Sequence, residues 1–293
     1  MKKLTLIILV VCAVLPLFAC SDKETDPVIT TLPPVDTSEL PDEDVASVVE
    51  TELFTVNIYK TYAEIVTYNG KEDTEVVIPN SFLGVPVKII GEYAFYKSEK
   101  LEKVTLPSSL IEIDRYAFEE CSSLKEIVTN EGLEIIDQAA FRNSSLEKIN
   151  LPSTLIIIGK QSFYKTNITE LIIPDTVSQI PSYSFYGCSA LKTVVFGKRV
   201  ESIDESAFYN CTSIETVVIP ETLSKLGDYC FRGCTSLKKV FIPKNTFIGE
   251  NSFYGCNELT VYTPKNARCI KALKAYEYSY VTCPSADKML NEG

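Results

Sequence analysis

Ala207-Phe208-Tyr209-Asn210-Cys211-Thr212-Ser213-Ile214-Glu215-Thr216-Val217-Val218-Ile219-Pro220 carries the frame that decides the fold. Phe208 is one of a series at 95, 118, 141, 163, 185, 208, 231 and 253, with successive spacings of 22 or 23 residues. The residues around it recur as well. Glu92-Tyr93-Ala94-Phe95, Arg115-Tyr116-Ala117-Phe118, Ser182-Tyr183-Ser184-Phe185 and Asp228-Tyr229-Cys230-Phe231 are copies of one another. Three residues past each Phe stands Cys or a small polar residue, as in Cys121, Ser144, Thr166, Cys188, Cys211, Cys234 and Cys256. A strand-like run follows (Leu191-Val194-Phe196, Ile214-Val217-Ile219, Leu237-Val240-Ile242), and Pro107, Pro152, Pro174, Pro220 or Pro243 ends it. Proline has no N–H to donate to a continuing ladder, so it acts as a stop. A second short apolar run, such as Ile157-Ile158-Gly159, leads to the next Phe.

A unit of this size cannot cover its own apolar face, so neighbours must stack into one continuous core with equivalent residues above one another. The pattern predicts a repeat solenoid of short strands and turns, about eight units of 22–23 residues, over 91–263. At about 4.8 Å per rung such an array is on the order of 40 Å long. Raw ends need covers. Residues 53–90 read as an N-terminal β cap and opening repeat, with alternation at Phe54, Val56 and Ile58. Residues 264–293 read as a C-terminal cap and tail, with a short helix over 266–275.

The first 52 residues have another character. Met1-Lys2-Lys3 followed by the apolar run Leu4 to Phe18 reads as an export signal, 1–19. It ends in Leu17-Phe18-Ala19-Cys20, which resembles the bacterial lipobox and implies a lipid on Cys20 that would tie the chain to a membrane. Residues 20–52 hold ten Asp and Glu against the single Lys23, together with Pro27, Pro33, Pro34 and Pro41. That composition predicts a disordered, self-repelling tether. Ser21-Asp22-Lys23-Glu24 is similar to the acidic signals that take Bacteroidetes lipoproteins to the outer face, implying a lipid-anchored, outward-facing place in the cell envelope.

The frame Ala-Phe-x-x-Cys-x-x-Leu-x-x-Val-x-Ile-Pro, followed by Ile-Gly, resembles the BspA-like leucine-rich repeats of bacterial surface proteins over roughly 53–283. Tyr68-Asn69-Gly70 through Val76-Val77-Ile78-Pro79 and Gly84-Val85-Pro86-Val87 are similar to that family's opening repeat. Asn130 and Gly197 stand where the frame has Pro, departures that should loosen individual turns. The resemblance implies a surface lipoprotein that adheres to host or neighbouring-cell proteins. Alternatives are a glycan-binding accessory protein and a structural envelope protein without a specific ligand.

The chemistry available is narrow. The chain has no His and no Trp, but 16 Tyr and 14 Phe. Without imidazole, the side chain best suited to proton transfer near neutrality is missing, and so is a common zinc ligand. No nucleophile motif and no phosphate-cradling glycine loop occurs, so no catalytic residues, no metal site and no cofactor are expected. Glu119-Glu120 reads as a solvated acidic pair. A net charge of −11 argues against nucleic acid as a partner. Five of the ten Cys (Cys121, Cys188, Cys211, Cys234 and Cys256) fill one repeat slot. In-register stacking would hold their Cβ atoms nearly a rung apart, farther than the roughly 3.8 Å a disulfide prefers, so they read as buried thiols. Cys269 and Cys283 in the C-terminal cap could pair.

Two outward columns are candidate surfaces. The middle residue of each strand triplet's outer edge should point away from the core, and Ile172, Val195, Val218 and Phe241 place four apolar side chains there in a row. A contiguous apolar stripe marks a protein-binding face, although β-branched residues also simply suit strands. The residue after each Phe gives Tyr96, Tyr164, Tyr186, Tyr209 and Tyr254, interrupted by Glu119, Arg142 and Arg232. These rings suit protein or sugar contact, or pack on one another as a stabilising ladder.

Overall fold

The computed structural model describes residues 45–291 and a short strand at Ile7–Leu9. Apart from that strand, the expected signal 1–19, the lipidation site Cys20 and the tether up to 44 lie outside the described residues.

The chain coils into a solenoid with two parallel rows of strands joined by turns. The front row runs through Glu75–Val77, Lys103–Thr105, Glu126–Val128, Lys148–Ile149, Glu170–Ile172, Thr193–Val195, Thr216–Val218, Lys239–Phe241 and Thr260–Thr263, and Tyr280–Thr282 adds a final parallel rung. It is divided into three hydrogen-bonded ladders, with breaks after Lys148–Ile149 and after Thr193–Val195. The back row consists of two-residue strands, from Glu112–Ile113 to Phe247–Ile248, the second of each pair buried. Including the cap strands, the coil makes about ten turns, against the eight counted from the Phe series.

The Phe frame forms the tight turn between back and front rows. It is closed by two sets of backbone bonds. Within a turn, N–H groups bond three residues back, as Tyr209 N–H to Ser206 O. Between turns, every second N–H bonds the carbonyl just before its equivalent one rung on, as Ser206 to Asp228, Phe208 to Cys230 and Asn210 to Arg232. A coil with no regular strand thus still satisfies its backbone. Two residues per turn have positive φ: the one two before Phe (Tyr93, Tyr116, Tyr183, Tyr229) and the one two after it, where Gly187, Gly233, Gly255, Asn143 and Asn210 suit the left-handed region.

The eight Phe rings are fully buried and stack with centroids 4.7–5.9 Å apart and planes within 19°. The column is sealed at both ends. Tyr68 stacks on Phe95 at 4.8 Å, and Tyr278 meets Phe253 edge-on at 5.7 Å.

The expected β cap forms as antiparallel strands Ser47–Glu50, Phe54–Ile58 and Ala63–Tyr68, the last pairing in parallel with Val85–Ile90. It corrects the tether boundary. Residues 45–52, assigned to the disordered segment, are ordered, because Ser47–Glu50 pairs fully with Phe54–Ile58 and Val49 is buried against the core. The apolar pair Val48-Val49 within an otherwise acidic stretch was the signal. At the other end the short helix spans Ile270–Ala275 with Leu273 buried, and a second helix, Ala286–Asn291, follows it.

The two departures from the Pro frame do not open their turns: one adds bonds and the other keeps the usual closing bond. Asn130 directs its Nδ2 at the carbonyls of Pro107, Ser108 and Leu110 (2.9, 2.8 and 3.2 Å), tying one turn to the previous one. Gly197 lies so close under the Pro174 carbonyl that a Cβ there would collide with it, and its own carbonyl accepts from Val200 N–H as Pro carbonyls do in sister turns.

Candidate functional site

The slot three residues past Phe is a core position. Cys121, Cys188, Cys211, Cys234 and Cys256 are buried, and each donates its thiol hydrogen to the carbonyl of the Phe one rung earlier at 3.0–3.2 Å. Burial pushes the thiols of Cys121, Cys188 and Cys256 up to about 12, and those of Cys211, Cys230 and Cys234 also well above the ordinary range. A thiol without thiolate character is a poor nucleophile and a poor metal ligand, so the column is packing material. Cys269 and Cys283 are both free. Cys269 pairs with the Thr263 hydroxyl at 3.3 Å, and Cys283 donates to the Ser285 carbonyl at 3.2 Å.

Next to the buried Phe column runs the Tyr column. Tyr164, Tyr186 and Tyr209 are half-buried and stack at 4.8 and 4.7 Å, nearly parallel. The Arg232 guanidinium continues the stack, 5.8 Å from the Tyr209 ring centre, 5.5 Å from Tyr229 and 4.8 Å from Tyr254. Tyr96 and Tyr254 are exposed, Tyr254 to 59%. The ring faces of the three central residues are therefore spent on one another, and what they show to solvent is edge and hydroxyl. In the same column Glu119 and Arg142 replace two rings. Glu119 is buried and ion-paired to Arg142 at 3.1 Å, not solvated as expected, and burial raises its carboxyl pKa against the opposing pull of Arg142.

On the front face, the outward slot is exposed at Val77, Ile172 (66%) and Val195 (50%), half-buried at Thr105, Val128 and Val218, and buried at Phe241 (1%). Ile172 and Val195 are register partners in one ladder, and Val218 and Phe241 in the next. A shallow apolar groove lined by Val195, Phe196, Val218 and Pro220, with Lys198 and Glu221 on its rim, lies where the first of these ladders gives way to the second. Phe241 is not an exposed binding residue. It packs with Cys283 and Met289 in a small cluster separate from the main core, with Val218, Tyr262 and Ala286 against it. The C-terminal helix covers it, and no local pattern around residue 241 announces a cover that arrives some forty residues later.

A third feature had no counterpart in the sequence reading. The carboxylates of Glu112, Asp114 and Asp137, on adjacent back-row rungs, come within 4.8 Å of one another. Asp114 and Asp137 each accept the following backbone N–H at 2.6 Å, which is a turn-capping role.

The family model for the BspA type leucine rich repeat region matches residues 63–165 and 156–282, in six copies. This chain belongs to the BspA-type leucine-rich repeat family. Its fold is shared by a leucine-rich repeat protein of Bacteroides ovatus (24% identity, TM-score 0.51, covering 73% of this chain and 70% of that one). It is shared as well by the leucine-rich repeat protein of T. pallidum (24% identity, TM-score 0.55, covering 80% of this chain and 99% of that one). No curated protein matches it in sequence. Proteins built from these repeats are generally structural or binding proteins and not enzymes.

Proposed function

We propose that this BspA-type protein is a surface-anchored binding lipoprotein that recognises another protein through the front strand face. One observation carries the reading: Ile172 and Val195 leave half or more of their surface in water on consecutive rungs, beside a groove that continues to Val218. Other exposed apolar side chains, Val77, Ile156, Ile157 and Phe247, do not stand on consecutive front rungs: Val77 has Thr105 as its register partner, and Ile157 and Phe247 belong to the back row. Contiguous unspent apolar surface is what a partner removes from solvent on binding. A flat repetitive face offers contacts in register over several rungs, which suits a protein partner better than enclosure of a small molecule. Export by 1–19 and lipidation of Cys20 would hold the solenoid outside the cell at the end of the acidic segment.

Glycan recognition through the Tyr column has less support. Sugar rings stack on aromatic faces, and the faces of Tyr164, Tyr186 and Tyr209 already meet one another. The test is adhesion of the purified chain to immobilised host matrix proteins, with Ile172→Asp plus Val195→Asp as the informative variant. Loss of adhesion with the fold intact supports the strand face. Unchanged adhesion removes it. Lipidation is tested by the mass of the processed N-terminus, and outward exposure by protease treatment of whole cells.

A further inference from the structure

The cluster around Phe241 differs from the rest of the interior in a way that bears on the front face. The main core is one continuous body that runs from Val49 to Leu273 and includes the Phe and Cys columns. Phe241, Cys283 and Met289 form a second body outside it. The two bodies lie on opposite sides of the front sheet: Val240 points into the solenoid and Phe241, its neighbour, points out. The segment that covers Phe241 can therefore leave without opening the solenoid.

Little backbone bonding holds that segment down. Beyond the strand Tyr280–Thr282, the Cys283 N–H bonds Thr263 O at 2.9 Å. Further on, Met289 N–H returns to Ser285 O and Lys288 N–H to Ser285 Oγ, both within the segment. Its grip on the solenoid is apolar, with Met289 fully buried and Ala286 beside it, while Asp287, Lys288 and Leu290 face solvent. Six helical residues are too few to stay helical alone in water, so the helix exists because Met289 and Ala286 are docked.

We infer that Cys283–Asn291 is a displaceable strap, an occupant from the chain itself that masks the outward rung at Phe241. The front face therefore has a short form, Ile172–Val195 with part of Val218, and a long form that adds all of Val218, Phe241 and Tyr262. Local release of few-contact segments at free energies below global unfolding is a general property of folded chains. The strap goes beyond the proposed binding face: it determines how many rungs of that face are open, and a protein partner needing the long form competes with Met289 for Phe241.

Cys283 reports on the strap because the strap is what buries it, whereas Cys211 and Cys234 are buried by the solenoid. The experiment is maleimide labelling of the folded, purified chain without denaturant, with each modified cysteine identified by peptide mapping. Cys283 is expected to react at least tenfold faster than Cys211 and Cys234. Met289→Asp, which undocks the strap, is expected to raise the Cys283 rate a further tenfold and leave Cys211 unchanged. Three results overturn the strap: Cys283 reacting no faster than Cys211, Met289→Asp accelerating both together, or a fast Cys283 that Met289→Asp does not affect. None of these rates depends on an external partner. A failed strap thus leaves the strand-face reading standing, and a failed strand face leaves the labelling result intact.

Discussion

The two outward columns of the solenoid are made of similarly apolar side chains and put them to opposite use. In the Tyr column each ring from Tyr164 through Tyr209 has a ring or a guanidinium against its face, at 4.7–5.8 Å. In the front column Ile172 and Val195 have no such cover, and Phe241 has cover only because another part of the chain comes to it. A repetitive fold makes both arrangements from one kind of regularity, since equivalent residues always lie one rung apart. Flat rings at that spacing satisfy one another. Branched aliphatic side chains on a pleated surface touch side by side and still present their tips to water. Apolar character alone therefore does not distinguish the two columns, and unspent apolar area does.

The comparison is sharpened first by the column behind both. Phe208→Ala removes one fully buried ring with a stacked neighbour on either side and should cost about 3–5 kcal/mol, read from urea unfolding. Tyr209→Ala, one residue away, gives up an outward stack and the burial of half a ring, and should cost less, about 1–2.5 kcal/mol. Equal costs would mean that the Tyr column is as much a core element as the Phe column.

The Cys slot adds a pH dependence. Its folded thiols have pKa values raised above 9, to about 12 for Cys121, Cys188 and Cys256, so the neutral thiol is the form the fold accepts. Stability from this source is complete below pH 9 and declines as pH rises from 9 towards 12, where unfolded thiols ionise and folded ones resist. Replacing these three Cys by Ala should flatten the fall of the urea midpoint over that range. An unchanged slope would assign the loss to other groups.

Within the Tyr column, Glu119 and Arg142 test the substitution of an ion pair for two rings. Arg142→Ala leaves a buried carboxyl without its cation and should cost about 1–3 kcal/mol at pH 7. Because the Glu119 pKa is already raised by burial and would rise further, the deficit relative to the parent should shrink as pH falls through that carboxyl's range. A pH-independent deficit would point to lost packing of the Arg stem.

The smallest effect on stability belongs to the front column. Ile172→Asp with Val195→Asp should change the unfolding free energy by about 0.5 kcal/mol per site, because half or more of each side chain stays in water on folding.

Much of the fold was legible because stacking writes itself into the sequence with a fixed period. The Phe series, the Cys slot and the strand-ending Pro each name a side chain whose neighbours are its own copies. Positions whose neighbours come from elsewhere were not legible. Phe241 occupies an outward slot and reads as exposed; its burial depends on Met289, which the repeat does not encode. Glu119 reads as a solvated acid until the next rung brings Arg142 within 3.1 Å. The left-handed backbone at Tyr93, Tyr116, Tyr183 and Tyr229 lacks the usual Gly or Asn, because the inter-rung bonds of the turn impose it. The tether boundary was missed for a related reason, since two valines in an acidic run pair with a strand that composition alone does not reveal.

The proposed binding on the front strand face, and not on the Tyr column, can be tested directly. Binding to immobilised matrix proteins should be measured for three forms of the chain that share one unfolding midpoint: the parent, Ile172→Asp/Val195→Asp, and Tyr186→Ala/Tyr209→Ala, with urea adjusted to equalise stability if needed. A strand-face site requires that the strand-face variant lose at least tenfold in affinity while the Tyr variant binds as the parent does. Parent-like binding by the strand-face variant, or loss confined to the Tyr variant, would contradict it.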